Sequence, residues 1–365
     1  MACRDADAPE PGHFRDRGPH PMEHDRIDAL ARWIAQALGA GEARLAAPAK
    51  LPGGAIQENW ALDATLTGGS HAGTIALVLR TDAPSGVSAS RSRAEEFALL
   101  KAAFAAGVTV PEPLALDAGG LVLGKPAYLM RRVAGTANPR TLARDPALDP
   151  FRPALSAAVG RELARIHAVV PPRDDLAFLG ADPRPPARRR IAEFLAQLDA
   201  LPHPYPVLEW AIRWLDRNAP ETPASALGHG DFRCGNLMVD PADGARVTGV
   251  LDWEFASWSD PLEDVGWLCA RCWRFGSDAR EVGGFGDPAD FRRGYEAEAG
   301  RRLDWALVPF WEVLATVRWA IIALHQGERH LSGREQSIEL ALTARKSAEM
   351  EYDLLTRIRA IEGAA

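Results

Sequence analysis

The chain has 365 residues, enough for two domains or lobes, because a single hydrophobic core rarely grows that large. Its 47% hydrophobic and 25% charged composition is that of a folded soluble protein, which excludes a fibre and a wholly disordered chain. A net charge of -7, from 42 basic and 49 acidic residues, supplies no overall basic field, so nucleic acid is not an expected partner.

The first twenty-four residues, opening MACRDADAPEPGHF, carry charges throughout and no apolar core, and are expected to be a disordered leader and not a secretory signal. Ile27, Leu30, Ile34 and Leu38 recur at helical spacing and predict an amphipathic helix. LPGGAIQENWALDATL and GGSHAGTIALVLRTD then predict a glycine-rich bend and two strands joined at Gly68-Gly69. Beyond Ser90, Phe97, Leu100 and Phe104 mark a helical face that should end at Gly107. Val108 to Pro113 reads as a proline-bounded connector, and LVLGKPAYLMRRVAG predicts two short strands around Gly124-Lys125-Pro126.

The remainder reads as mainly helical. A helix is predicted from Pro153 to Val169, ended by Pro171-Pro172. Asp174 to Pro206, rich in Pro and Arg, gives no clear element; a helix follows from Val207 to Asn218, and a short strand from Thr248 to Asp252. The apolar run from Trp305 to His325 is long enough to suggest a membrane span, but Glu312 and Arg318 inside it predict a buried helix, and no membrane partner is expected.

Four cysteines, Cys3, Cys234, Cys269 and Cys272, are too few and too unevenly spaced for a disulfide framework, so a cytoplasmic location is expected. Cys269 and Cys272 have a metal-like spacing but no neighbouring Cys or His pair, and read as packed helix residues. His167, on an apolar helical face, reads as a packed histidine. Lysine occurs only at positions 50, 101, 125 and 346, so nearly all positive charge is arginine.

Two clusters carry chemistry. In LGHGDFRCGNLMVD, Asp231 stands five residues before Asn236 and an apolar run, a spacing that lets a tight loop aim both into one cleft, although a self-bonded turn has the same composition. In VTGVLDWEFASWSDP, Asp252 follows an apolar strand, sixteen positions beyond Asn236. A carboxylate there can share one Mg²⁺ with Asn236, since hard cations take oxygen ligands.

HGDxxxGN, LDWE and DPLxD together resemble the aminoglycoside phosphotransferase superfamily of small-molecule kinases, in the branch similar to domains joined to acyl-CoA dehydrogenases. The resemblance covers roughly residues 45 to 350. It implies an α+β, protein-kinase-like fold of two lobes: a small N-terminal nucleotide-binding lobe with a β-sheet (25–133) and a larger, mainly helical C-terminal lobe (134–365). It also implies ATP and Mg²⁺ as cofactors and a small-molecule hydroxyl as phosphoryl acceptor.

Under the resemblance Asp231 would be the catalytic base, with Asn236 and Asp252 on the metal. Arg80 would replace the usual phosphate-contacting lysine, paired with Glu96, with Glu95 the competing candidate. Gly53, Gly54, Ala55 and Ile56 would cover the phosphates, and the main chain of Arg131 and Val133, after Met130, would hold the adenine. Asp264 and His229 would brace the catalytic loop. Aminoglycosides, macrolides, choline-like amines and sugars all remain open as acceptors. The rival reading is an inactive nucleotide-binding regulatory or scaffold protein of the same fold.

Overall fold

The structure, a computed structural model, describes residues 24–51, 57–83, 90–240, 242 and 246–364. Nearly all of the expected leader, and Gly53, Gly54, Ala55 and Ile56, lie outside the described residues.

Helix α1 (His24–Ala37) precedes strands β1 (Glu42–Leu45), β2 (Ala49–Lys50), β3 (Gln57–Thr67) and β4 (Gly73–Asp82). Helix α2 (Arg93–Ala105) and strands β5 (Pro113–Asp117) and β6 (Ala127–Arg131) follow. The strands form one six-stranded sheet in the order β1-β3-β4-β6-β5, with β2 beside β3, and each pairing is antiparallel.

Alternation along β4 sorts its two faces. Leu77 and Leu79 pack with Leu30 and Ile34 of α1 in the smaller core, while Val78 joins Leu99 and Leu100 of α2 in the larger one. Arg80 shares the parity of Val78 and so turns towards α2. On α2 Glu96, Leu99, Leu100 and Ala103 point inward at the helical repeat; of the expected face, Leu100 is buried and Phe97 packs half-buried against the larger core, whereas Phe104 is 48% exposed.

Of the two strands expected around Gly124-Lys125-Pro126, only Ala127–Arg131 forms, and its partner β5 begins within the expected connector. Asp117 closes the intervening turn by accepting from the N–H of Leu121 at 3.0 Å and of Val122 at 2.9 Å, which leaves Leu121 92% exposed.

The remaining elements are α3 (Pro139–Arg144), α4 (Arg152–His167), α5 (Pro186–Asp199), α6 (Pro206–Asn218), β7 (Ala226–Gly228), β8 (Leu237–Val239), β9 (Val247–Val250), β10 (Ser257–Ser259), α7 (Pro261–Cys269), α8 (Pro288–Ala299), α9 (Val308–Leu331), α10 (Ile338–Ala344) and α11 (Ser347–Ala364). Helix α5 arises in the stretch the sequence leaves unassigned; Pro186 opens it, and Ile191, Phe194 and Leu198 face inward. Helix α9 has the length and composition to cross a membrane, yet Phe310, Trp311, Leu314, Val317 and Ile321 lie within the larger core. Its Glu312 is buried against Arg274 and Arg357.

Helices α4 and α8 meet at two glycines. A Cβ on Gly294 would lie 2.0 Å from the Ala157 carbonyl oxygen, and one on Gly160 would lie 2.2 Å from that of Phe291. Both clashes are with backbone, which cannot rotate away. Gly294→Ala should therefore cost about 3 kcal/mol, the upper end of ordinary overpacking, seen as a lower urea midpoint with an unchanged denaturant slope.

Candidate active site

Two short ribbons build the site. Strand β7 pairs with β10 and delivers the chain to His229, Gly230 and Asp231. A single 3-10 turn, Cys234–Asn236, leads into β8, which pairs with β9 so that Leu237 lies opposite Val250. The Leu251 N–H then donates to the Asn236 carbonyl at 2.9 Å, which sets Asp252 beside Asn236 despite sixteen intervening steps of sequence. Asp252 itself adopts φ of 63°, a left-handed backbone rare outside glycine, and costly strain of this kind persists where surrounding contacts hold it.

The loop is braced from below by Asp264. Its carboxylate accepts the N–H of His229 at 2.7 Å and of Gly230 at 2.9 Å, and His167 Nε2 lies 3.3 Å away. Burial alone would raise the Asp264 pKa, but the His167 contact and its other partners hold it below the ordinary value. His229 spans the loop: Nε2 donates to the Leu251 carbonyl at 2.9 Å, and Nδ1 accepts the Asp231 N–H at 3.2 Å. Burial lowers the His229 pKa, in keeping with a neutral ring filling both roles. Gly230 has φ of 77°, and a Cβ there would stand 2.3 Å from the Phe255 carbonyl oxygen, so only glycine fits this turn.

The Asp231 carboxylate accepts from Asn236 Nδ2 at 2.7 Å, Trp267 Nε1 at 2.8 Å and Arg233 Nε at 3.1 Å. The same Asn236 nitrogen donates to the Asp231 carbonyl at 2.9 Å, which spends both amide hydrogens and leaves the Oδ1 oxygen for a cation. Asp252 adds a carboxylate. This all-oxygen pair fits Mg²⁺, which takes few protein ligands and keeps water and phosphate oxygens around it.

On the sheet side, Arg80 and Glu96 are 4% and 1% exposed. Arg80 Nη2 lies 2.9 Å from Glu96 and 2.7 Å from Asp252, so one guanidinium ties β4 to α2 and to the loop after β9. Burial would raise the Asp252 pKa, but Arg80 outweighs it and holds the carboxyl below its usual value. Glu95 is elsewhere employed, in a capping box with Ser92. At the end of β6 the Arg131 N–H donates to Glu112 and the Arg132 N–H to Ala76, both at 2.9 Å, so Val133 is the first residue beyond the paired strand.

Sequence reasoning passed over several groups. Arg233 sits inside the quoted loop, with its guanidinium 4.7 Å from the Trp273 ring. Arg318, within the apolar run of α9, donates to the Gly230 carbonyl at 2.7 Å and covers the Trp267 ring at 4.3 Å. Glu254 is buried between Gln57 and Ser90, and burial raises its pKa. Arg233, inside the quoted loop, and Glu254, the last residue of LDWE, carried a usable signal; Arg318 is a contact between distant segments. Cys269, the last residue of α7, is buried, whereas Cys272, expected as a packed helix residue, lies in a turn beyond the helix and is only partly buried; both are free thiols whose pKa burial raises.

Glu96 faces two buried guanidiniums, Arg80 and Arg93, so Glu96→Ala should destabilise by about 3–5 kcal/mol, against about 1 kcal/mol for Glu95→Ala at the cap, as measured by urea unfolding. The His229 ring predicts a pH effect of definite sign. Between its ordinary value of 6.5 and the lower folded value, the unfolded chain takes up a proton that the native ring refuses. Stability should fall as pH drops below about 6.5, and His229→Asn should flatten that slope in unfolding curves recorded across pH.

Comparison with known proteins agrees with this architecture. Residues 47–301 match the phosphotransferase enzyme family. Relatives include acyl-CoA dehydrogenase family member 10 of Mus musculus, 35% identical over 202 residues, or 53% of this chain and 18% of that one. Member 11 of Gallus gallus is 35% identical over 179 residues, 47% of this chain and 22% of that one. The chain thus spans about a fifth of the length of these relatives. Among solved structures, a candidate aminoglycoside phosphotransferase of Ralstonia eutropha superposes with a TM-score of 0.69 at 24% identity, covering 91% of this chain and 98% of that one. The GDP and kanamycin complex of an APH(2") enzyme gives 0.59 at 15% identity, covering 90% and 98%. These likenesses establish the α+β, kinase-like fold expected from the motifs, and with the family match over residues 47–301 the chain belongs to the phosphotransferase enzyme family.

Proposed function

We propose that the protein moves the γ-phosphoryl group of ATP to a hydroxyl of a small molecule. The observation that carries this reading is the convergence of Asp231, Asn236 and Asp252 on two adjoining ribbons, opposite the buried Arg80–Glu96 pair. Under this reading the N-terminal lobe (25–133) and the C-terminal lobe (134–365) enclose the nucleotide. Arg80 faces its phosphates, and the main chain of Arg131 and Val133 faces the base. The segment Gly53 to Ile56, outside the described residues, keeps its proposed place over the phosphates. Mg²⁺ held by Asn236 Oδ1 and the Asp252 carboxylate would neutralise charge on the phosphate oxygens.

In the reaction the acceptor oxygen forms a bond to the γ-phosphorus as the bond to the ADP oxygen breaks. The hydroxyl proton passes to Asp231, and the products are a phosphate ester and ADP. Asp231 suits this role because each of its oxygens is already fixed by a side-chain donor, Trp267 on one and Asn236 on the other, and positioning contributes much of the catalysis in phosphoryl transfer. The neighbouring aminoglycoside structure supports a small-molecule acceptor at the level of fold alone.

Asp231→Asn should lower turnover by roughly 10²–10⁴-fold while ATP binding is retained. The measurement is transfer of label from γ-labelled ATP into a fractionated small-molecule extract. A labelled product formed equally by the variant would remove Asp231 from the reaction, and ATP binding without any labelled product would favour the regulatory reading. Asp252→Ala should weaken Mg²⁺-dependent nucleotide binding in a calorimetric titration; unchanged binding would count against the metal assignment.

A further inference from the structure

Helix α7 grips three consecutive residues of the catalytic loop from one face. Asp264 and Trp267 are three residues apart, which places them one above the other on a helix. Asp264 takes the N–H groups of His229 and Gly230, and the Trp267 indole N–H reaches the Asp231 carboxylate at 2.8 Å. The indole is 3% exposed and has little room to swing. Arg318 lies over its face at 4.3 Å while donating to the Gly230 carbonyl, and the Trp273 ring packs 5.2 Å away. Next to it, a Cβ on Gly266 would meet Trp311 at 2.4 Å, so α7 is seated directly on α9.

Ordinary core packing does not explain that hydrogen bond. Trp273 and Trp311 are buried as well, and their indole nitrogens have no hydrogen-bond partner. Buried Trp253 does donate, but to a main-chain carbonyl, that of Val250 at 3.2 Å, whereas Trp267 points at the one carboxylate to which the reaction assigns a proton.

We propose that Trp267 is a positioning residue for phosphoryl transfer, holding the plane of the Asp231 carboxylate from one oxygen while Asn236 holds it from the other. Arg318 keeps the indole in place. The proposal rests on the reading of Asp231 as base. Trp267 itself touches neither nucleotide nor acceptor in this scheme, so its loss should act on turnover and not on nucleotide affinity.

The test uses the full chain with MgATP and water as acceptor, following release of labelled phosphate, in wild type, Trp267→Phe, Asp231→Asn and Trp311→Phe. Trp267→Phe keeps a ring and removes the donor; it should lower kcat about 10-fold with KM for MgATP changed less than about twofold. Trp311→Phe, which removes a buried indole that bonds nothing, should change thermal stability without that loss of kcat. Wild-type kcat in Trp267→Phe alongside a depressed Asp231→Asn overturns the proposal and leaves the base intact. Wild-type kcat in Asp231→Asn overturns the base reading itself.

A second readout needs no turnover. With ¹⁵N-labelled tryptophan, the Trp267 indole resonance, identified by its loss in Trp267→Phe, should move on Asp231→Asn while that of Trp311 stays. An unmoved Trp267 resonance overturns the proposal even if water proves too poor an acceptor to release phosphate.

Discussion

The Asp264 carboxylate, buried in the first turn of α7, accepts two consecutive main-chain N–H groups of the loop that leads to Asp231 and lies beside His167 of α4. A bare carboxylate at this depth would cost several kcal/mol or take up a proton; three partners keep it charged and make it the fixed point of the larger core. From it the order propagates outward. His167 is held by Tyr295 of α8 at 2.9 Å, and α8 is locked to α4 by the paired glycines. The loop that carries His229, Gly230 and Asp231 is tied to that framework through the two N–H groups Asp264 accepts.

The junction between the sheet and the helical part is polar. Arg80 reaches from β4 to Glu96 and Asp252, and Glu254 reaches back to Gln57 at the start of β3 and to Ser90 before α2. The Arg91 N–H adds a bond to the Glu254 carbonyl at 3.1 Å. Apolar contacts favour closeness without direction, whereas these pairs fix direction as well. The residues flanking Asp252 thus carry the angle at which the sheet meets the loop.

The legible part of this site was local in sequence. Asp231 and Asn236 share one loop, and Asp252 is brought back by the short β8–β9 ribbon, so short motifs and the family resemblance they carry singled these residues out. Glu95 and Glu96 were separable only once the buried stripe of α2 was known, because neighbouring residues on a helix differ by about 100° in facing, and of the expected face Phe104 turns outward. Helix α5 was hidden because its stretch is rich in proline, which usually breaks helices, although here Pro186 starts the helix and Arg190 pairs with Glu263 at 2.6 Å. Trp267 lies 36 residues from Asp231, and Arg318 lies 88 from Gly230. No local pattern encodes such distances, and Arg318 served the sequence reading only as an argument against a membrane span.

The guanidinium of Arg80 has a chemical consequence. The group that meets Glu96 and Asp252 stays protonated at any pH the fold survives and is a poor nucleophile towards activated acyl groups. An acylating reagent that modifies lysine amines would find no such amine at this position. Lys50 and Lys125, the lysines nearest in the sheet sequence, are instead engaged with Glu58. A decline in activity at alkaline pH would have to originate in some group other than this cation.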